Sequence, residues 1–547
     1  MKRLTGVLPL AIMAACFLCM TSQAVFAQQS CESLKSLKIP NITFSIVEAY
    51  KAGGVIPGQP ILSISKPDPD APPPAIGKPQ TTSVGFCRVS GYATPTDDSR
   101  IGFEIALPDA KDWNGRFLAS GNPGFIGSLS LGSVLGIVQR GYVAAATDTG
   151  HVDGTAAWAI GHPEKWADWG YRAVHETADT AKRLALAYYG RPVQYSYWNS
   201  CHNGGNQGLS EAQRYPNDFD GIVAADPAFH ISRIQPGTLY LSWVSLKDGT
   251  DAPGYIPTSK YPVLRNAALE ACDENDGLKD GIITDPPRCK FDPIVTLCKD
   301  GDRPDCLTAP QVETARKIYA GAKFNDGTQI FSGMAPGSEL QWALVSEKEP
   351  FYVNVDFFKG MVFQDLNWDW RTFDVDRDTR LGIERAGKYV DNAFTDLRPF
   401  KNAGGKLIIY HSWNSVALPT GSIVQYYEDV VETVGGLKET QDFARLFVIP
   451  ESGGCVGTFN DEVFNAFKAV QDWVEKGIAP DTITYVEFAP QSKAAPQSKG
   501  STQGKPQGKP QSAVSRTRPV CAYPKISQYK GSGDPNDGAN FTCVDRK

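Results

Sequence analysis

Tyr197-Trp198-Asn199-Ser200-Cys201-His202-Asn203-Gly204-Gly205-Asn206-Gln207-Gly208-Leu209 passes from an aromatic run through closely spaced glycines into a helix-forming stretch containing Glu211 and Gln213. The order predicts a strand, a sharp turn and a helix, with His202 at the tip of the turn and Ser200 still inside the strand. In α/β proteins such a turn lifts one side chain above the C-terminal edge of a parallel sheet, where a nucleophile works. The G-x-S-x-G spelling of that turn occurs nowhere in the chain. The context is present and the expected serine is not.

Outward from this turn, short apolar runs rich in Val, Ile, Phe and Tyr read as buried strands: 116–119, 142–147, 194–199, 221–225, 406–410 and 445–449. Between them, 171–189 carries Val174, Ala178, Ala181, Leu184, Ala185 and Tyr188 at helical spacing, with Gly190 as its stop. Strand, helix and strand in alternation predict an α/β fold with a parallel-rich sheet covered on both faces. The alternation lapses over 231–399, a stretch rich in Pro, Asp, Trp and Tyr with one clear helix near 310–319, which reads as an inserted lid domain. The core is expected over 28–230 and 400–547. Within it, 489–520 repeats Pro-Gln-Ser-Lys and Gln-Gly-Lys-Pro and reads as a flexible, positively charged insertion.

The 547 residues carry 54 Lys+Arg against 60 Asp+Glu, a net charge of −6, with no basic half, which argues against a nucleic-acid binder. Residues 1–27 have the parts of a secretory signal: Lys2 and Arg3, an apolar run over 8–20, and Val25-Phe26-Ala27 before cleavage. The run is too short to span a bilayer, and no other stretch is apolar enough. A secreted or periplasmic protein is expected. Of 12 cysteines, Cys16 and Cys19 leave with the signal, and the ten that remain suggest a full disulfide set. Cys272/Cys289, Cys298/Cys306 and Cys521/Cys543 are the natural local staples. No CxxC or His/Cys cluster has zinc-ligand spacing.

The chain resembles the tannase and feruloyl esterase family over nearly all of its mature length. The resemblance rests on Thr147-Asp148-Thr149-Gly150-His151, His162-Pro163-Glu164-Lys165, Gly170-Tyr171-Arg172-Ala173, Glu211-Ala212-Gln213-Arg214-Tyr215-Pro216, Asp218-Phe219-Asp220-Gly221-Ile222-Val223, Trp368-Asp369-Trp370-Arg371, Tyr410-His411-Ser412-Trp413 and Arg516-Thr517-Arg518-Pro519. It implies an α/β-hydrolase core, a lid, and a secreted serine esterase acting on phenolic esters. The family's serine falls on His202, its acid on Ser415 and its histidine on Gly454, so all three triad positions are substituted. It also implies disulfides Cys31–Cys87, Cys201–Cys455, Cys272–Cys289, Cys298–Cys306 and Cys521–Cys543. A retained Cys201–Cys455 staple removes Cys201 as a thiol nucleophile.

Where the family continues Gly-Ala-Pro-Ala, this chain has Ala225-Asp226-Pro227-Ala228. A carboxylate at that strand end is placed to orient His202 and raise its basicity. His230, four residues on, is a further candidate for the pocket. A His202/Asp226 pair without a serine suits proton-transfer chemistry such as elimination, isomerisation, cyclisation or hydration of a small phenolic or aromatic substrate. It also suits ester hydrolysis by His-activated water; a phenolic-binding protein without turnover is the third reading. The family's oxyanion donors fall in Gly121-Asn122-Pro123-Gly124, where Pro123 offers no N–H.

Cys272-Asp273-Glu274-Asn275-Asp276-Gly277-Leu278-Lys279-Asp280-Gly281-Ile282 packs hard oxygen donors into a tight loop suited to calcium. The resemblance implies ligation by the side chains of Asp273, Asp276 and Asp280 and the carbonyls of Leu278 and Ile282. The ion would be structural, stabilising the lid remote from chemistry.

Overall fold

The structure is a computed structural model that describes residues 28–59, 76–127, 129–152, 154–458, 460–489 and 513–546. The signal segment 1–27 and most of the repeat-rich tract, 490–512, lie outside the described residues.

Nine strands form the central sheet: β1 (Ile42–Tyr50), β2 (Phe86–Ala93), β3 (Ile101–Pro108), β4 (Arg116–Ala119), β5 (Val143–Thr147), β6 (Tyr195–Cys201), β7 (Gly221–Ala225), β8 (Lys406–Ser412) and β9 (Ala444–Ile449). Their order is β1-β2-β3-β5-β4-β6-β7-β8-β9. From β5 to β9 every pairing is parallel, whereas β1, β2 and β3 join antiparallel at one edge. The six strands expected from apolar runs are all present. The antiparallel three were not expected, because their apolar residues alternate with Arg88, Ser90 and Glu104. Glu104 is buried in mid-sheet and tolerated there because Arg88 on the neighbouring strand grips it through two nitrogens, at 2.6 and 3.0 Å.

Both faces of the parallel half are covered. Successive residues of β6 point to opposite sides: Tyr197 packs with Val223, Tyr410, Phe467 and Trp473 on one face, and Trp198 with Phe219, Ile222 and Leu209 on the other. The Trp198 indole N–H is satisfied by the Gly204 carbonyl at 2.9 Å. Helix α1 (Ala173–Tyr189) buries Val174, Ala178, Ala181, Leu184, Ala185 and Tyr188 and ends at Gly190 with φ 69°. Helix α2 (Asn203–Arg214) follows the elbow. A Cβ on Gly205 would stand 2.3 Å from the Ala225 carbonyl oxygen, so α2 reaches the sheet only because this residue has none.

Between β7 and β8 the chain leaves the sheet. The helix at 309–320 is there, but so are α3 (Ile231–Leu246) and shorter helices including Tyr261–Cys272 and Tyr352–Phe357. Pro236 and Gly237 lie inside α3 and hide it from a propensity reading. The expected insertion, 489–520, reaches too far along the chain. Val514–Cys521 is a strand paired antiparallel with Thr482–Phe488, so the end of that tract is sheet rather than insertion. Val520 and Cys521 are buried there and anchor it. The five expected disulfides are formed.

Candidate active site

The parallel register builds the site. Cys201 lies opposite Ala225, and Ala225 opposite Tyr410. The next residue on each strand is therefore His202, Asp226 or His411, and the three stand side by side at the C-terminal edge. His202 and Asp226 both have positive φ, 55° and 41°, in conformations costly for residues with a Cβ. The elbow is braced by backbone: the Ala225 carbonyl accepts from His202 N–H at 3.1 Å, and the His202 carbonyl accepts from Asn206 N–H and Ala228 N–H, both at 3.0 Å.

Asp226 is fully buried and is the hub. His202 Nε2 lies 3.4 Å from its Oδ2, and the Ser415 hydroxyl donates to Oδ2 at 2.9 Å. On the other side, His411 Nδ1 stands 2.9 Å from Oδ1 without hydrogen-bond alignment. Burial opposes ionisation of this carboxyl, but attraction from His411 and contacts with His202 outweigh it and hold Asp226 well below the usual carboxylate range. A Cβ built on Gly454 would sit 1.9 Å from Asp226 Oδ2. The three positions that the resemblance assigns to a triad thus meet around one carboxylate, which fills the space a side chain at Gly454 would need. Cys201–Cys455 fastens the Gly454 loop to the tip of β6.

His411 was missed by sequence reasoning. It lay inside Tyr410-His411-Ser412-Trp413, and only the strand register reveals that it faces Asp226. His230 goes elsewhere. Its Nε2 lies 3.7 Å from Asp391 Oδ2, burial lowers its basicity, and it lines a separate cavity of about 600 Å³ with Arg233, Phe331, Trp413 and Tyr426. Ser200 is buried in β6 and accepts from Gly121 N–H at 3.0 Å. Asn122 N–H goes to Gln207 Oε1 at 3.3 Å. Two N–H groups of the expected oxyanion turn are therefore engaged by protein, in addition to the one Pro123 lacks.

His202 opens onto a cavity of about 690 Å³ walled by Trp169, Ile231, Leu344, Phe351, Val353 and Leu418, with Asn203, Gln235, Asn354 and Ser415 as polar points. Mostly apolar walls with a few placed polar groups suit an aromatic small molecule. Its walls come from both the sheet's C-terminal edge and the segment between β7 and β8.

In the 273–282 loop, Asp273 accepts backbone N–H groups of Asp280, Gly281 and Ile282. Asp276 is buried and accepts from Leu278 N–H and the Thr284 hydroxyl; burial, with the nearby carboxylates, pushes its carboxyl up. Asp280 Oδ2 pairs with Arg518 at 2.7 Å, and its Oδ1 is buried without a donor. That orphaned oxygen is a hard donor of the kind calcium takes, but the carboxylates of Asp273, Asp276 and Asp280 do not converge to within 4.8 Å of one another. Among the described residues the one group of three His, Cys, Asp or Glu side chains with all ligand atoms within 4.8 Å of one another is Cys201, His202 and Cys455, and both of those sulfurs are spent in a disulfide.

No helix among the described residues is long and apolar enough to cross a membrane. The sequence profile described as tannase and feruloyl esterase matches residues 87–544. An uncharacterised esterase of Xanthomonas campestris pv. campestris is 32% identical over 95% of this chain and 92% of its own length. A probable feruloyl esterase B-2 of Aspergillus terreus is 30% identical over 89% and 91%. Among solved structures, feruloyl esterase B from Aspergillus oryzae superposes with a TM-score of 0.80 at 28% identity, covering 94% of this chain and 99% of that one. The chain belongs to the tannase and feruloyl esterase family.

Proposed function

We propose that this is an exported hydrolase of phenolic esters in which His202 activates the attacking water and Asp226 orients the imidazole. The observation that carries the proposal is the buried Asp226 carboxylate, 3.4 Å from His202 Nε2 and seated against Gly454. Family membership supports ester hydrolysis and lends nothing to the elimination, isomerisation, cyclisation or hydration that a His/Asp pair also permits. Five disulfides suit an oxidising compartment.

With Nε2 turned to Asp226, the ring proton rests there and Nδ1 is the basic nitrogen. Nδ1 takes a proton from water as the water oxygen bonds to the ester carbonyl carbon. The imidazolium is stabilised by Asp226, itself held by Ser415 and His411. The developing oxyanion is met by the N–H of Asn203, which opens α2 and lines the cavity. As the carbon–oxygen bond to the alcohol breaks, Nδ1 returns its proton to the leaving oxygen, releasing acid and alcohol. Calcium in the 273–282 loop, held by Asp273, Asp276, Asp280 and the carbonyls of Leu278 and Ile282, would supply structural cross-linking and no chemistry.

The test is chromatography of methyl ferulate or methyl gallate incubated with the pure protein. Acid release that is lost in His202→Ala supports the proposal. A mass change without acid release, or binding without change, contradicts it.

A further inference from the structure

Two buried amides in the wall of the candidate cavity are only half satisfied. Gln235, on α3, and Asn354, on the helix Tyr352–Phe357, are 5% and 2% exposed and both line the cavity below which His202 sits. Asn354 Nδ2 donates to Gln235 Oε1 at 2.7 Å. Among the described residues, that bond leaves Asn354 Oδ1 buried without a donor and Gln235 Nε2 with no protein acceptor. A buried polar atom left unpaired is costly, and a mostly apolar wall gains nothing for packing from a stranded acceptor beside a free amide donor. Exchanging the oxygen and nitrogen of both amides preserves the result, since one donor and one acceptor remain adjacent.

We propose that Gln235 and Asn354 form a hydroxyl-recognition subsite for the aromatic ring of the substrate. A phenolic hydroxyl is the group that uses both leftover atoms at once, accepting from Gln235 Nε2 while donating to Asn354 Oδ1. A methoxy group can only accept, and an unsubstituted ring does neither. Sites built to hydrogen-bond a hydroxyl reject analogues lacking it strongly, because their own polar groups are then left unpaired. The subsite rests on the ester-hydrolase reading for its placement in a substrate cavity. Its test is binding, which does not depend on turnover.

The experiment is calorimetry with 4-hydroxycinnamic, 4-methoxycinnamic and cinnamic acids, on the full-length protein and on Gln235→Leu/Asn354→Leu. Replacing both partners with apolar groups of similar size removes the amide pair without leaving one stranded. The wild type is expected to bind the hydroxylated acid at least about tenfold more tightly than either analogue. The double variant should bind all three within about twofold. Equal binding of the three by the wild type, absence of binding by all, or an unchanged hydroxyl preference in the variant overturns the subsite. Because the wild-type comparison needs no variant, misfolding of the double substitution leaves it decisive. Hydroxyl preference without ester cleavage would retain the subsite and reject hydrolysis.

Discussion

The carboxylate of Asp226 occupies the space above the Cα of Gly454, with Oδ2 1.9 Å from where a Cβ there would stand. The two residues are a coupled pair: a side chain at 454 and an inward carboxylate at 226 exclude one another. Gly454→Ala is therefore expected to destabilise the protein by about 1–3 kcal/mol through overpacking. In an Asp226→Ala background the same change should cost markedly less, with a coupling of about 0.5–3 kcal/mol. Urea unfolding of the four proteins measures this, and additive effects would contradict the steric pairing.

Glu211, on α2, is fully buried, and among the described residues no donor reaches either carboxylate oxygen. Burial first, then the charge of Asp218, pushes its carboxyl well above the usual range. A raised carboxyl binds its proton more tightly folded than unfolded. Its stabilising contribution is complete below the unfolded value, about 4.3, and is lost as pH rises. Glu211→Gln, permanently neutral, should match the wild type in Tm near pH 4.5 and exceed it by about 2 °C or more at pH 8. A Tm difference that does not change with pH would contradict this.

Chelation should lower Tm, and added calcium should restore it better than magnesium, which demands a stricter octahedron. Asp276→Asn should blunt the response. An unchanged Tm, with no calcium found by elemental analysis, would remove the ion from the loop.

How much of this was legible in the sequence depended on whether a feature was local. The elbow at 197–209 could be read because the apolar run, the glycines and the helix formers are contiguous. Strands β4 to β9 could be read for the same reason. The edge strands β1 to β3 could not, since the charge of Glu104 is offset by Arg88 across the sheet, a partner no local pattern shows. Asp226 stood out because it departs from the family spelling. His411 did not, because its role follows from the alignment of Cys201, Ala225 and Tyr410 across three strands. His230 misled for the opposite reason. Four residues of sequence placed it near Asp226, but its positive φ of 55° at the start of α3 turns the chain toward Asp391.

The most direct measurement is kcat/KM for phenolic ester hydrolysis by wild type, His202→Ala, Asp226→Ala and the double variant. If His202 is the base and Asp226 acts only through it, each single substitution lowers the rate by roughly 10²–10⁴ and the double variant is little worse. Full activity in His202→Ala, or a double variant whose loss is the product of the two singles, would contradict the account.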